Sequence, residues 1–164
     1  MKTFTPEHLA EILRKHGLWL RGENGGEKAD LSDSNLSDSN LRGSNLSGSN
    51  LSYSDLRGSD LSYSDLSGSN LSYSDLSGSD LSGSDLRGST GLVYIGQRTD
   101  RYQFYAVYNE SGKQWYIHAG CRYKTIAEYR EHVLTYECDT KRQETSDLLD
   151  FAEKRINLLG RISA

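Results

Sequence analysis

Leucine recurs at every fifth position in the middle of the chain, from Leu31 to Leu86. Each leucine follows Asp or Asn, and the residue two positions before it is Ala29 in the first unit and serine in the other eleven. The resulting twelve five-residue units fill residues 29–88 without a change of register. A period of five matches neither the roughly 3.6-residue period of an α-helix nor the two-residue period of a β-strand. The pattern predicts a chain that turns after every five residues, so that four units complete one square coil.

Twelve units would make three stacked coils, and the residue types fit the inside and the outside of such coils. We expect leucine to point inward with the small residue beside it, while the Asp or Asn side chain hydrogen-bonds to the backbone near each corner. A buried serine hydroxyl needs a partner, so we expect each inner serine to bond to the backbone or to the serine of the next coil. Coils stacked at the strand spacing of about 4.8 Å give a solenoid only about 15 Å long.

The repeat resembles the pentapeptide-repeat family, in which a small residue, Asp or Asn and leucine are followed by two variable residues. Units such as SNLSY and SDLRG match this consensus, although this chain has serine where the family more often has alanine. The resemblance implies a right-handed quadrilateral β-helix. It also implies a class of function, because family members related to quinolone-resistance proteins resemble a DNA duplex in shape and charge and act by occupying DNA gyrase.

The first 28 residues are predicted to form a capping helix and a lead-in to the solenoid. Thr5 is typical of a helix N-cap, Pro6 suits the first helical position, and Gly17 is expected just past the helix end. This helix would cover the open interior of the first coil. The stretch HGLWLRGENGGEKADL resembles the lead-in of bacterial and phage pentapeptide-repeat proteins.

After the repeat, residues 89–164 are predicted to form a small unit with its own core. Apolar and aromatic runs predict three strands, at 92–95, 101–108 and 114–118. The last two are joined by a predicted turn at 109–112. A capping box of Thr125 and Glu128 predicts a short helix, and a second amphipathic helix is expected from about Lys141.

The predicted fold class is therefore mainly β: a right-handed quadrilateral β-helix of three coils with an N-terminal helical cap and a small C-terminal α+β unit of three strands and two helices. The predicted domains are residues 1–28, 29–88 and 89–164. The stretch from Gly96 to His132 resembles a C-terminal segment of phage- and prophage-type pentapeptide-repeat proteins. That resemblance implies a phage origin and no specific activity.

Composition alone gives a different impression, because 24 serines and 16 glycines in 164 residues are typical of low-complexity chains. Twenty of the serines lie within the repeat, where their periodic placement predicts order. The repeat also holds nine Asp and three Arg, a net charge of −6, which argues against nucleic acid as a direct partner. We expect no membrane span, no disulfide between the two cysteines and a location in the cytoplasm of a bacterial host.

The candidate interaction face lies on the outside of the solenoid, where residues twenty apart are stacked. Tyr53 and Tyr73 are predicted to stack on one face, where Asn50 and Asn70 replace Asp, and Tyr63 is the third tyrosine of the repeat. The other three faces carry stacked acid pairs, Asp55 with Asp75, Asp60 with Asp80 and Asp65 with Asp85. Two interpretations stay open for each set. The tyrosines either pack under the cap or the C-terminal unit or bind a partner, and the acids are either solvated turn residues or a binding surface.

Four residues of the C-terminal unit are of the types that bind zinc, namely His118, Cys121, His132 and Cys138. The enzymatic alternative places a Cys121 nucleophile with His132 in a site that includes His118 and Arg122. Ordinary packing or surface roles are the favoured interpretation, because cysteine is often buried without a metal. We therefore predict no catalytic site, no metal and no cofactor; the sequence has no Gly-rich phosphate loop and no nucleophile elbow.

These features predict a non-enzymatic protein-binding module, encoded by a phage or prophage, that engages or inhibits a host protein through the acidic solenoid and the aromatic C-terminal unit. The first alternative is a DNA mimic that inhibits or protects a DNA-binding enzyme such as gyrase or a nuclease. About 15 Å of B-DNA carries about nine charges, which the nine Asp match, but it corresponds to only about four base pairs. A homo-oligomer, with a dimer favoured, is expected.

Overall fold

The computed structural model of the chain describes residues 1–100, 102–109, 114–119 and 122–162, with the backbone alone at 109 and 159–162. The chain divides into two compact units, Met1–Gly91 and Leu92–Ala164. The first contains the five-residue repeat, and the second contains a four-stranded sheet and two helices. Among the described residues, no helix is both long enough and apolar enough to cross a membrane.

Helix α1 (Pro6–Leu20) begins as the sequence predicts but ends later. Its N-cap is Thr5, whose hydroxyl accepts a hydrogen bond from a backbone N–H of the first turn (3.3 Å), and Pro6 occupies the first helical position. The predicted end at Gly17 is wrong, because the helix continues to Leu20. It stops where Gly22 adopts a left-handed φ of +67°, which allows N–H groups beyond the helix to bond to carbonyls of its last turn.

Parallel backbone pairing at a spacing of twenty residues holds the repeat together, from the pair Asp30–Asn50 to the pair Asn70–Thr90. The pairs are isolated bridges separated by turns, so each five-residue unit contributes only a short β segment. Every repeat leucine is at most 5% exposed. The pairing therefore has the predicted period, and the leucines form the core of the first unit.

The inner serines hydrogen-bond to the backbone of their own turn. The hydroxyl donates to the carbonyl of the leucine three residues earlier, as Ser59 does to Leu56 at 2.7 Å. The same bond forms at seven further inner serines and at Ser89, which follows the repeat; the seven are Ser34, Ser44, Ser54, Ser64, Ser74, Ser79 and Ser84. The expectation of a partner fails at Ser49 and Ser69, whose buried hydroxyls have none among the described residues.

A two-residue strand at the start of the chain, which the sequence did not predict, adds a rung to the first coil. Strand β1 (Lys2–Thr3) pairs in parallel with β2 (Ser34–Asn35), and Asn35 pairs in turn with Asp55. The first residues of the chain therefore pair with backbone groups that would otherwise be exposed at the edge of the solenoid. A segment this short shows no alternation of apolar and polar residues, so the sequence carried no signal for it.

Helix α1 contacts the first coil through His16, which is fully buried. Its Nδ1 atom accepts a hydrogen bond from the Ala29 N–H (3.1 Å), and its ring stacks on Trp19 with centroids 5.4 Å apart. An imidazole nitrogen accepts a hydrogen bond only while it is unprotonated. Burial lowers the pKa of His16 below its ordinary value, which keeps the ring neutral.

We predict that the first unit loses stability as the pH falls from about 7 to about 5. The pKa of His16 is lower in the folded chain than in the unfolded chain, so the unfolded chain binds the proton more readily. The contribution of neutral His16 to the stability of the first unit is therefore fully present above about pH 6.5 and is lost as the pH falls below that value. Thermal unfolding followed by Trp19 fluorescence, in a Trp115→Phe background that leaves one tryptophan, measures this effect.

His16→Gln keeps a hydrogen-bond acceptor that does not titrate, so it should remove most of this pH dependence. His8→Gln, at an exposed position of the same helix, is the matched control and should leave the pH dependence unchanged. The same pH dependence in all three proteins would contradict the prediction.

The second unit is an antiparallel sheet packed with two helices. Its strands are β3 (Leu92–Gln97), β4 (Gln103–Asn109), β5 (Gln114–Ala119) and β6 (Arg122–Lys124), in that spatial order. Helices α2 (Ile126–Val133) and α3 (Asp139–Ile162) contact each other and the sheet. The buried core combines sheet and helix residues: Ile95, Phe104, Ala106, Ile117, Ala119, Tyr129, Val133, Leu149 and Ala152.

The prediction of three strands in this unit is wrong, because β6 is a fourth. It pairs with β5 through Ile117–Lys124, His118–Tyr123 and Ala119–Arg122. Three residues are too few to show an alternating pattern, which is why sequence periodicity missed this strand. The turn predicted at 109–112 lies outside the described residues, apart from the backbone of Asn109.

The predicted helix starts agree with the structure to within two residues. The Thr125 hydroxyl accepts a hydrogen bond from the Glu128 N–H (3.2 Å), and the Glu128 carboxylate accepts one from the Thr125 N–H (2.8 Å). This reciprocal capping box begins α2. Helix α3 begins at Asp139, two residues before the predicted Lys141.

Candidate binding surface

Every Asp or Asn that precedes a repeat leucine closes a turn with its side chain. Its Oδ1 atom accepts a hydrogen bond from the backbone N–H two residues later, at 2.9 Å between Asp60 and Ser62 and 3.0 Å between Asn70 and Ser72. The same bond forms in all twelve units. An amide oxygen and a carboxylate oxygen can both accept this bond. The turn therefore requires the oxygen and not the negative charge.

Carboxylates are stacked in pairs on three faces of the repeat, as predicted. Parallel pairing joins Asp55 to Asp75, Asp60 to Asp80 and Asp65 to Asp85. The corresponding positions of the first coil hold uncharged residues: Asn35, Asn40 and Asn45. The stacked charge is thus concentrated in the second and third coils, with neighbouring rungs about 4.8 Å apart.

Two of these six carboxylates are neutralised by arginines of the repeat. Arg57 donates from Nε to Asp55 (2.8 Å) and from Nη2 to the second carboxylate oxygen, and Arg87 bonds to Asp85 through the same atoms. Each guanidinium holds the pKa of its carboxyl below the usual range. The other four form no salt bridge with any described residue, and we call them the unpaired carboxylates: Asp60, Asp65, Asp75 and Asp80.

Three tyrosines of the repeat keep more than half of their surface open to solvent: Tyr53 at 57%, Tyr63 at 63% and Tyr73 at 56%. As the twenty-residue period predicts, Tyr53 and Tyr73 stack, with ring centroids 4.8 Å apart and planes 14° from parallel. Tyr63 lies on a different face, where the Arg42 guanidinium is 4.4 Å from its ring centroid. Both arrangements leave aromatic surface available to a partner.

The same three tyrosines have a left-handed backbone, with φ of 58° at Tyr53, 58° at Tyr63 and 62° at Tyr73. This conformation costs an L-residue about 1–2 kcal/mol, whereas glycine adopts it without penalty. The sequence held a signal for this strain, because glycine is the commonest residue at the fifth position of the units.

The candidates in the second unit lie among aromatic side chains. His118 is buried in β5 with its ring 5.7 Å from Tyr123, and the His132 ring lies 5.4 Å from that of Tyr136. Burial, with Arg122 and then Lys124 nearby, lowers the pKa of His132.

Cys121 lies outside the described residues, so the proposed pairing of Cys121 with His132 stays a prediction. Cys138 is an exposed free thiol. Within the described ranges, no three His, Cys, Asp or Glu side chains are grouped so that they could hold a metal ion.

A groove of about 390 Å³ in the second unit was not predicted. Its lining includes Arg98, Tyr102, Arg122, Tyr136, Cys138 and Lys141. Asp100 forms salt bridges with Arg98 (2.9 Å) and Lys141 (3.1 Å), whereas Arg122 donates to the Tyr102 hydroxyl at 3.3 Å. These residues come from distant parts of the chain, so no local sequence motif predicts the groove.

The family model for pentapeptide repeats matches residues 27–62 and 49–88, with eight copies. The chain belongs to the pentapeptide-repeat family. The right-handed β-helix of pentapeptide-repeat proteins accounts for the twenty-residue pairing period, since four units complete one coil.

Several solved structures of pentapeptide-repeat proteins are similar to this chain. Rfr23 from the cyanobacterium Cyanothece 51142 is 33% identical over 38% of this chain and 43% of its own, with a TM-score of 0.38. The protein alr5209 from Nostoc Pcc 7120 is 31% identical over 49% of this chain and 73% of its own, with a TM-score of 0.20. QnrB1, a plasmid-mediated fluoroquinolone resistance protein, is 27% identical over 37% of this chain and 36% of its own, with a TM-score of 0.26.

This pentapeptide-repeat chain therefore spans less than half the length of Rfr23 and of QnrB1. A search of curated proteins finds no match.

Proposed function

We propose that this chain is a non-enzymatic protein-binding module of phage or prophage origin, whose acidic solenoid engages a basic surface of a host protein in the bacterial cytoplasm. The observation that carries the proposal is the negative charge that the turns do not require. Five of the twelve units have Asn at the turn position, and their turns close with the same hydrogen bond.

Stacking the charges is unfavourable for the isolated chain. Two like charges about 5 Å apart repel each other by about 0.8 kcal/mol even in water. This repulsion applies most fully to Asp60 and Asp80, because one carboxylate of each other stack is paired with an arginine. Asn at position 60 or 80 would remove the repulsion and keep the turn, so stability alone does not explain this stacked pair. When a partner brings lysine or arginine side chains to the stacked pairs, the carboxylates attract these cations. Such complementary charges raise the association rate and the specificity of the complex.

A DNA mimic that inhibits or protects a DNA-binding enzyme, such as gyrase or a nuclease, is the second candidate. The regular stacking of acids on three faces favours it. The solenoid of about 15 Å matches only about four base pairs, so this function depends on a dimer that joins two solenoids end to end.

The proposed function is tested by isolating the partner from a bacterial lysate at low salt and measuring its affinity for the purified chain at increasing ionic strength. We predict that the affinity falls by about tenfold or more between about 50 and about 200 mM salt, because screening weakens contacts between exposed charges. Asn45→Asp, which extends the stack of Asp65 and Asp85 into the first coil, should strengthen binding at low salt. An affinity that does not change with salt contradicts the proposal.

Competition with duplex DNA separates the two candidates. Displacement of the partner by DNA, together with a dimer in light scattering, supports the DNA mimic. A partner that binds the chain and DNA at the same time supports a protein-binding module without mimicry.

A further inference from the structure

The fifth position of every unit has the same left-handed backbone, but its residue type differs. Glycine occupies it in seven units, at Gly43, Gly48, Gly58, Gly68, Gly78, Gly83 and Gly88. Aspartate occupies it at Asp33 and Asp38, and tyrosine occupies it at Tyr53, Tyr63 and Tyr73. Glycine carries no penalty here and aspartate tolerates the conformation, whereas tyrosine is strained. Strained and unstrained residues therefore occupy the same backbone position in different units of the repeat.

Contacts within the chain leave all three tyrosines more than half exposed. Stacking between Tyr53 and Tyr73 offsets part of their strain. Tyr63 has no ring partner, since the residues stacked with it are Gly43 and Gly83, and its ring contacts the Arg42 guanidinium instead. Its ring is also the most exposed of the three. Backbone strain at residues with this much exposed side chain is typical of functional surfaces.

The surroundings of these rings indicate what they bind. The Arg42 guanidinium already lies over the Tyr63 ring, so a cation of this kind fits the ring face. Each tyrosine is followed two residues later by aspartate, in the sequence Tyr-Ser-Asp, at Asp55, Asp65 and Asp75. Asp65 and Asp75 belong to the unpaired carboxylates. A guanidinium can stack on an aromatic ring and pair with a carboxylate, so a tyrosine and an aspartate two residues apart in the chain suit it.

We infer that Tyr63 and Tyr73, each with the unpaired aspartate two residues later, are binding sites for arginine side chains of the partner, while Tyr53 supports Tyr73 by stacking on its ring. The inference rests on the proposed function and sharpens it, because it names an arginine-rich segment as the partner. Lysine binds the same acidic surface more weakly, since a compact ammonium group is more strongly hydrated and does not stack on a ring.

The test compares two probes, a short peptide of alternating arginine and glycine and a matched peptide of alternating lysine and glycine. Fluorescence anisotropy on the full chain should give at least about fivefold tighter binding for the arginine peptide. The triple variant Tyr53→Gly, Tyr63→Gly, Tyr73→Gly should lose this preference. It should still bind the lysine peptide in a salt-dependent way, because all the carboxylates remain.

The stability of the triple variant separates a binding role from a structural one. Because glycine relieves the strain at each position, the denaturant midpoint should stay the same or rise. Tyr94→Ser, at an exposed tyrosine of β3 in the second unit, is the matched control and should change neither peptide affinity. Arg42→Ser, which frees the ring face of Tyr63, should tighten binding of the arginine peptide.

Four other results would contradict the arginine sites, and one of them would also contradict the proposed function. Equal binding of both peptides by the unmodified chain, or a preference that survives in the triple variant, overturns the arginine sites and leaves the proposed acidic module standing. A triple variant with a lower denaturant midpoint assigns the tyrosines to structure and also overturns them. Absence of salt-dependent binding of either peptide overturns both the arginine sites and the proposed function.

Discussion

Changing the four unpaired carboxylates together to asparagine is expected to weaken binding of the arginine peptide, and of the isolated partner, by about 50-fold while leaving the fold intact. Each exposed charge contact contributes up to about 1 kcal/mol, so four of them account for a change of this size. The fold should persist because asparagine keeps the Oδ1 acceptor on which each turn depends, as Asn70 does for Ser72. Affinity is measured by fluorescence anisotropy, and stability by urea denaturation.

A second quadruple variant distinguishes the placement of charge from its total. It changes four exposed acids that lie outside the repeat to their amides: Glu7, Glu131, Glu137 and Asp147. Both variants bring the formal net charge from −4 to zero. Only the repeat variant should lose binding. Equal losses would mean that net charge alone attracts the partner, and a loss of more than about 1 kcal/mol of stability in the repeat variant would mean that the carboxylates serve the fold.

The regular part of the fold was predictable because one physical argument applies to each unit in turn. A leucine at every fifth position has to be buried, a small residue fits beside it, and an Asx side chain closes the corner. The stacking of Tyr53 on Tyr73 follows from the twenty-residue period alone. The backbone strain at the tyrosines could also be predicted, because the fifth position of a unit usually holds glycine, which indicates a left-handed backbone.

The features that sequence reasoning missed depend on contacts between distant segments. Strand β1 pairs with β2 more than thirty residues later, and β6 is recognised only by its pairing with β5. The groove of about 390 Å³ in the second unit is lined by Arg98, which follows β3, by Arg122 of β6 and by Lys141 of α3. Strands β1 and β6 are too short to carry a hydrophobic period, and a groove lined by several elements has no period of its own.

Leu56→Ala is expected to lower the free energy of unfolding of the first unit by about 3–5 kcal/mol. Leu56 is fully buried in the middle coil. The rungs on either side of it are held by backbone hydrogen bonds, from the Leu56 N–H to the Asp75 carbonyl and from the Leu36 N–H to the Asp55 carbonyl, both 2.8 Å. These bonds limit how far the coils can collapse into the cavity, so the loss belongs near the upper end of the range for such substitutions.

Leu86→Ala is the matched control, because Leu86 occupies the same position of a unit in the last coil and is 5% exposed. A last coil can relax more freely around a cavity, so its loss should be smaller, about 2 kcal/mol. Urea unfolding followed by Trp19 fluorescence in the Trp115→Phe background measures both variants. Since a domain has only about 5–15 kcal/mol of stability, Leu56→Ala should leave the first unit marginal and its stacked carboxylates poorly ordered. Equal losses at the two positions would show instead that the coils contribute independently, with no support from the rungs above and below.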